Sequence, residues 1–241
     1  QAYRRHAFQS LALGSLLRTE LGRQFPEQMV DYELAPLYLL RRIDAPSAAV
    51  LVPAGAIGIS VWIGRQGWGV FNYMNWPIWI EVILSVILLD FVIYLQHLMF
   101  HAVPLLWRLH MMHHADLDYD LTTGTRFHPI EIIISMGIKA SAISVLGASP
   151  VAVIIFEVLL NGTAMFNHGN LYIPLGIDRI LRLMVVTPDM HRVHHSVFPS
   201  ETNSNFGFNL PWWDRLMGTY RAQPTKGHDD MTIGLNQFRD P

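Results

Sequence analysis

The chain contains no cysteine. That excludes a disulfide framework, a cysteine-rich zinc ribbon and a thiol nucleophile. It leaves imidazole and carboxylate to hold any metal, a donor set that suits iron, zinc, copper or manganese. Charge is scarce too: Asp, Glu, Lys and Arg make up 15% of the 241 residues, against about 25% in an ordinary soluble domain. The net charge is −2 and no basic stripe carries interleaved aromatics, so nucleic-acid binding has no support. What is plentiful is apolar. Residues of that kind reach 51%, which points to lipid-facing surface.

The apolar residues fall into four stretches. Residues 47–63 carry no charge, although Pro53, Gly55 and Gly58 should loosen a helix there. Residues 78–99 have Glu81 near their start and Asp90 in their middle; residues 130–146 hold Glu131 and Lys139; residues 151–166 follow a Gly147-Ala148-Ser149-Pro150 turn. A bilayer core of about 30 Å needs about 20 helical residues, and the second stretch meets that comfortably. The expected fold is therefore all-α and membrane-integral, with four spanning helices, or two plus a re-entrant hairpin made from the shorter pair. Six arginines precede the first stretch, whereas residues 64–77 hold only Arg65. The positive-inside rule then places both termini, and nearly every histidine, on the cytoplasmic side.

Three regions follow. Residues 1–46 mix arginine with apolar residues and read as an amphipathic interfacial segment or, equally, an ordinary solvated lead-in. They show no cleavable signal peptide. Residues 47–166 hold the membrane helices and the first histidine clusters. Residues 167–241, polar and rich in Pro, Asn and Asp, read as a cytoplasmic cap with the last cluster.

Against zero cysteines stand 12 histidines, most of them clustered. His97 and His101 form an HxxxH at the end of the second apolar stretch. His110, His113 and His114 form an HxxHH just after it, and His191, His194 and His195 repeat that pattern about eighty residues later. On a helix, residues i, i+3 and i+4 share a face, so each cluster should aim its imidazoles at one point. These eight, or ten with His128 and His168, exceed the four that a tetrahedral zinc takes and suit two ions. A single such cluster is easily coincidental; three in one cysteine-free chain are not.

Asp90 lies two turns from His97 on nearly the same face. It is a candidate to hydrogen-bond a ligand imidazole, or else a buried carboxylate with a polar partner elsewhere. Tyr94 invites the same reading more weakly. Lys139 reads as a snorkelling or structurally paired side chain.

HxxxH, HxxHH and a distant HxxHH on a short membrane chain resemble the fatty acid hydroxylase/sterol desaturase superfamily. The likeness runs from about Asp90 to Tyr220 and includes Thr122–Pro129 (TTGTRFHP) and the closing segment Asn209–Tyr220 with its Trp-Asp pair. The resemblance implies a non-haem di-iron centre at the cytoplasmic membrane face. It implies O2 as co-substrate and a lipid C–H bond that is hydroxylated or desaturated, hydroxylation being favoured by analogy. The eight cluster histidines match the family's ligand boxes. His168 matches half of an HxxxH found in some members, since position 164 is Ala. No cytochrome b5-like or ferredoxin-like segment accompanies them, so a separate electron donor of the reductase, ferredoxin or cytochrome b5 type is expected. A bacterial inner membrane is favoured over endoplasmic reticulum.

Two rivals come from other classes. A membrane zinc hydrolase would want a general-base Glu beside its ligands, as in HExxH, and no cluster contains one. A non-catalytic haem or metal-binding membrane protein leaves ligands unexplained, because haem takes one or two axial histidines.

Overall fold

The computed structural model describes residues 45–239, with side chains from residue 52 onward. The N-terminal interfacial segment, and the six arginines that helped orient the chain, lie outside the described residues.

The four apolar stretches are helices: α1 (Ala45–Gln66), α2 (Ile78–Ala102), α4 (Pro129–Leu146) and α5 (Pro150–Asn167). Between α2 and α4 lies the shorter α3 (Pro104–His114). After α5 come short helices joined by irregular chain: α6 (Leu175–Leu181), α7 (Pro188–His194), α8 (Pro199–Thr202), α9 (Trp212–Met217) and α10 (Gly227–Asp230). No strand forms among the described residues; Ser196 and Ile233 make one isolated antiparallel bridge. Among the described residues, α2, α4 and α5 are long and apolar enough to cross a membrane. At 18 residues each, α4 and α5 reach about 27 Å, close to the thickness of a bilayer core.

α1 runs unbroken through Pro53, contrary to the loosening expected there. Helices in apolar surroundings tolerate proline because neighbouring elements re-satisfy the freed backbone groups, and α1 packs along both α4 and α5. The shared core joins Ala56, Leu89, Ile93, Ile143, Val153 and Phe156.

Local chemistry sets the helix ends. Ser149 caps α5 by accepting from the Ala152 N–H, and Pro150 fills the first helical position. Glu81 of α2 accepts from both the Ser149 N–H and the Ser149 hydroxyl, which fastens the α4–α5 turn to α2. α4 ends at Gly147, in the left-handed conformation (φ 71°), and a Cβ on the facing Gly69 would stand 2.2 Å from the Gly147 nitrogen. Only glycine allows the two turns to touch. α7 begins with Thr187 capping the Met190 N–H and Pro188 behind it. The Thr187 hydroxyl also donates to Asp178 at 2.6 Å, and Asp178 pairs with Arg182 at 2.7 Å, so α6 braces the helix that carries the last histidine cluster.

Candidate metal centre

The last two turns of α2 present His97 and His101, and α3 follows after a single intervening residue, Val103. The reversal sets His97 Nε2 3.2 Å from His110 Nε2 and His101 Nε2 3.1 Å from His114 Nε2. From the cap, α7 and the residue after it contribute His191, His194 and His195. His168, directly after α5, reaches in from the side, 3.2 Å from His113 and 3.1 Å from His191.

Nine imidazoles thus gather into two groups. The first holds His97, His101, His110, His114 and His194, and the second His113, His168, His191 and His195. All are buried except His101, which is partly so. Each cluster was expected to aim at one point. Instead each HxxHH is divided: its i and i+4 residues serve one group and its i+3 residue the other. The i+3 position lies on the other side of the helix's shared face, and here two centres sit side by side across that face. His128 belongs to neither group. Its ring Nδ1 accepts from the Ile130 N–H and caps α4, leaving it half-buried at the start of that helix.

The outer nitrogens fix the tautomers. His97 Nδ1 donates to the Phe206 carbonyl (2.8 Å), His113 Nδ1 to Thr123 (2.9 Å), His168 Nδ1 to Ala164 (2.7 Å) and His194 Nδ1 to Ser204 (2.7 Å). His110 Nδ1 meets the Glu131 carboxylate at 2.7 Å. A carbonyl only accepts, so these rings carry their proton on Nδ1 and keep a lone pair on Nε2. His113 and His168 therefore point two lone pairs at each other across 3.2 Å, as do His97 and His110. Protonation does not relieve the conflict in the second group. Burial pushes His113, His191 and His195 well below the ordinary histidine range, with neighbouring imidazoles adding to it, and lowers His168 to about 4. A cation does relieve it. Two ligands about 2.1 Å from one ion and 90–109° apart lie about 3.0–3.4 Å from each other, the spacing seen here. His194 Nε2 and both nitrogens of His195 are buried without a hydrogen-bond partner among the described residues, which a bound metal would also resolve in part.

Asp90 does not face a histidine. Its carboxylate accepts from the Asn209 and Leu210 N–H groups at 3.2 Å each and from the Trp213 indole at 2.8 Å, tying the closing segment to α2. Tyr94 bonds Thr219, whose hydroxyl donates to Asp214; Asp214 in turn accepts from the Phe206 and Gly207 N–H groups. That chain of contacts holds the Phe206 carbonyl against His97. The carboxylate that does touch an imidazole of the two groups is Glu131, in the first turn of α4, a role the sequence reading did not assign. A lone acidic residue at a helix start is ordinary, and only its place three residues after His128 in the TTGTRFHP segment hinted at more.

A cavity of about 220 Å³ lies between α1, α2, α4 and α5, with His97 and His110 in its wall. None of the second group reaches it. Lys139 does not snorkel: it is buried and pairs with Glu157 of α5 at 2.5 Å.

A helical fold with apolar spans and paired imidazole groups defines the class: histidine-box membrane proteins. A sequence profile of the fatty acid hydroxylase family matches residues 82–219, more than half of the chain, and the chain belongs to that family. An ornithine lipid hydroxylase of Rhizobium tropici is 30% identical over 66% of this chain and 47% of its own length. An alkylglycerol monooxygenase of Xenopus tropicalis is 32% identical over 68% of this chain and 34% of its own, and the human cholesterol 25-hydroxylase 25% identical over 59% and 52%. The chain thus spans about half or less of the length of these curated relatives. No solved structure matches it.

Proposed function

We propose that this chain is an integral membrane lipid hydroxylase whose nine histidines hold two iron ions, with the centre at the cytoplasmic face of a bacterial inner membrane. The observation that carries the reading is the pair of imidazole groups whose lone pairs face each other in a buried site. The relatives named above bear lipid hydroxylase and monooxygenase names, and neutral imidazole is a fitting donor for iron. Bound iron would supply reductive activation of O2: two electrons from a separate donor protein and two protons accompany insertion of one oxygen atom into a C–H bond, the other leaving as water.

The residues around the site do the rest. Nδ1 donation to Phe206, Thr123, Ala164 and Ser204 holds each ring to one tautomer and one orientation. Glu131 makes His110 a stronger donor. Phe127 stacks on His113 at 4.6 Å, and Phe206 and Phe208 crowd His97. These rings exclude water from the site, as reactive oxygen chemistry requires. The cavity beneath His97 and His110 opens among the apolar helices, where a lipid chain could be held with a C–H bond against the first group.

Elemental analysis of detergent-purified, anaerobically handled protein tests this first. About two irons per chain, and a hydroxylated lipid on adding O2 and a reductase, are expected from the two groups. One metal or none would sink the dinuclear reading. Two zincs would call for iron reconstitution, and activity with zinc alone would favour hydrolysis with Glu131 as its base.

A further inference from the structure

The cavity has an unusual far end. A pocket for a wholly apolar chain needs only apolar walls, yet this one reaches the Lys139–Glu157 ion pair, Ser135 and Asn161 inside the membrane layer. Lys139 is eight residues beyond Glu131 on α4, about 12 Å along the axis, and Glu157 is seven residues before Ala164 on α5, about 10 Å. The pair therefore lies some two turns from the histidines. Partway along, Gln96 donates to the Ser135 hydroxyl at 3.0 Å, while its buried Oε1 has no hydrogen-bond partner among the described residues. Ionisable groups inside a membrane helix are costly, and a buried ion pair is weak evidence for stability, because well-packed apolar residues often serve as well or better.

We propose that this stretch of the cavity, from Gln96 to the Lys139–Glu157 pair, is a recognition site for a hydroxyl or amide N–H on the substrate lipid, held about 6–12 Å from the carbon presented to His97 and His110. The Lys–Glu ion pair offers ammonium N–H donors and carboxylate acceptors to a neutral polar group. Gln96 Oε1 accepts a hydrogen bond and so asks for an O–H or N–H rather than an ether. Occupied, the site sets how far along the chain the reacting carbon falls. The assignment rests on the reading that the cavity holds lipid, but binding at its far end needs no metal.

Competition binding decides it, with tritiated 1-dodecanol on the full chain in detergent and unlabelled 1-dodecanol or dodecane as competitors. The native protein should prefer the alcohol at least about tenfold, since a site built for a hydroxyl strongly rejects the analogue without it. Lys139→Met/Glu157→Met should bring the two competitors within about twofold while metal content stays native. If that variant fails to fold, Gln96→Leu, which leaves the pair intact, should lower the preference severalfold. No preference in the native protein, or an unchanged preference in the variant that folds, overturns the assignment and leaves the pair as a staple between α4 and α5. Preference without metal loading would spare it and sink the di-iron reading; two irons without preference would do the reverse.

Discussion

The two histidine groups differ in what surrounds them. The first has five imidazoles, one only partly buried, a carboxylate behind His110, and two members in the cavity wall. The second has four, all buried, and the outer nitrogens of His113 and His168 rest on backbone carbonyls. Both groups rest two rings on backbone carbonyls, but only the first borders the cavity and has a carboxylate behind one of its rings. Access is thus divided unequally between two sites that share the same helices.

Breaking either group should have the largest effect. His194→Ala removes a first-group donor and His113→Ala a second-group donor, and each should abolish lipid oxidation and lower bound metal, read by product assay and elemental analysis. Full activity in either variant would remove that group from the mechanism.

Acidification should act next, and on both groups, since burial also holds His114 and His194 of the first group well below the ordinary histidine range. Unfolded imidazoles protonate near 6.5, whereas His113, His191 and His195 are held well below that and His168 at about 4. Between those limits the unfolded chain binds more protons than the folded one. Stability is therefore highest above about pH 6.5 and falls as pH drops toward about 4, with metal released as protons compete for Nε2. Melting temperature and metal content measured across that window should decline together; a flat profile would contradict the assignment.

Glu131→Ala sharpens the contrast further. It should weaken metal binding at the first group about 10–100-fold and leave the second near native, whereas Glu131→Gln, which can still accept from His110, should recover much of the loss. A smaller effect is expected at Gly124, where a Cβ would stand 3.2 Å from His168 Nδ1. Gly124→Ala should disturb the second group alone, seen as a several-fold change in its metal affinity with the first unchanged. His128→Ala should leave both groups loaded, since that ring caps α4 instead.

Much of this was legible beforehand. Each of the four apolar stretches matches a helix to within three residues at either end, because hydropathy and the proline and glycine punctuation report the same boundaries. Nine of the ten histidines named as candidates gather, and His128, which caps α4, does not. The division of each HxxHH between two groups was not legible, because it depends on how α2, α3, α5 and α7 meet. Asp90 and Glu131 show the same limit. Both are acids in apolar helices, and only the packing tells which one faces a ring and which one faces the Asn209–Trp213 segment.

That segment has a consequence for the order in which the molecule is made. Asp90 waits for backbone groups synthesised 119 and 120 residues after it, and His97 for a carbonyl 109 residues later. While the chain is still emerging from the ribosome, the early histidines have neither their late partners nor the contacts that aim them. The imidazoles of α2 therefore take their final orientation only after the segment from Phe206 to Trp213 has been made.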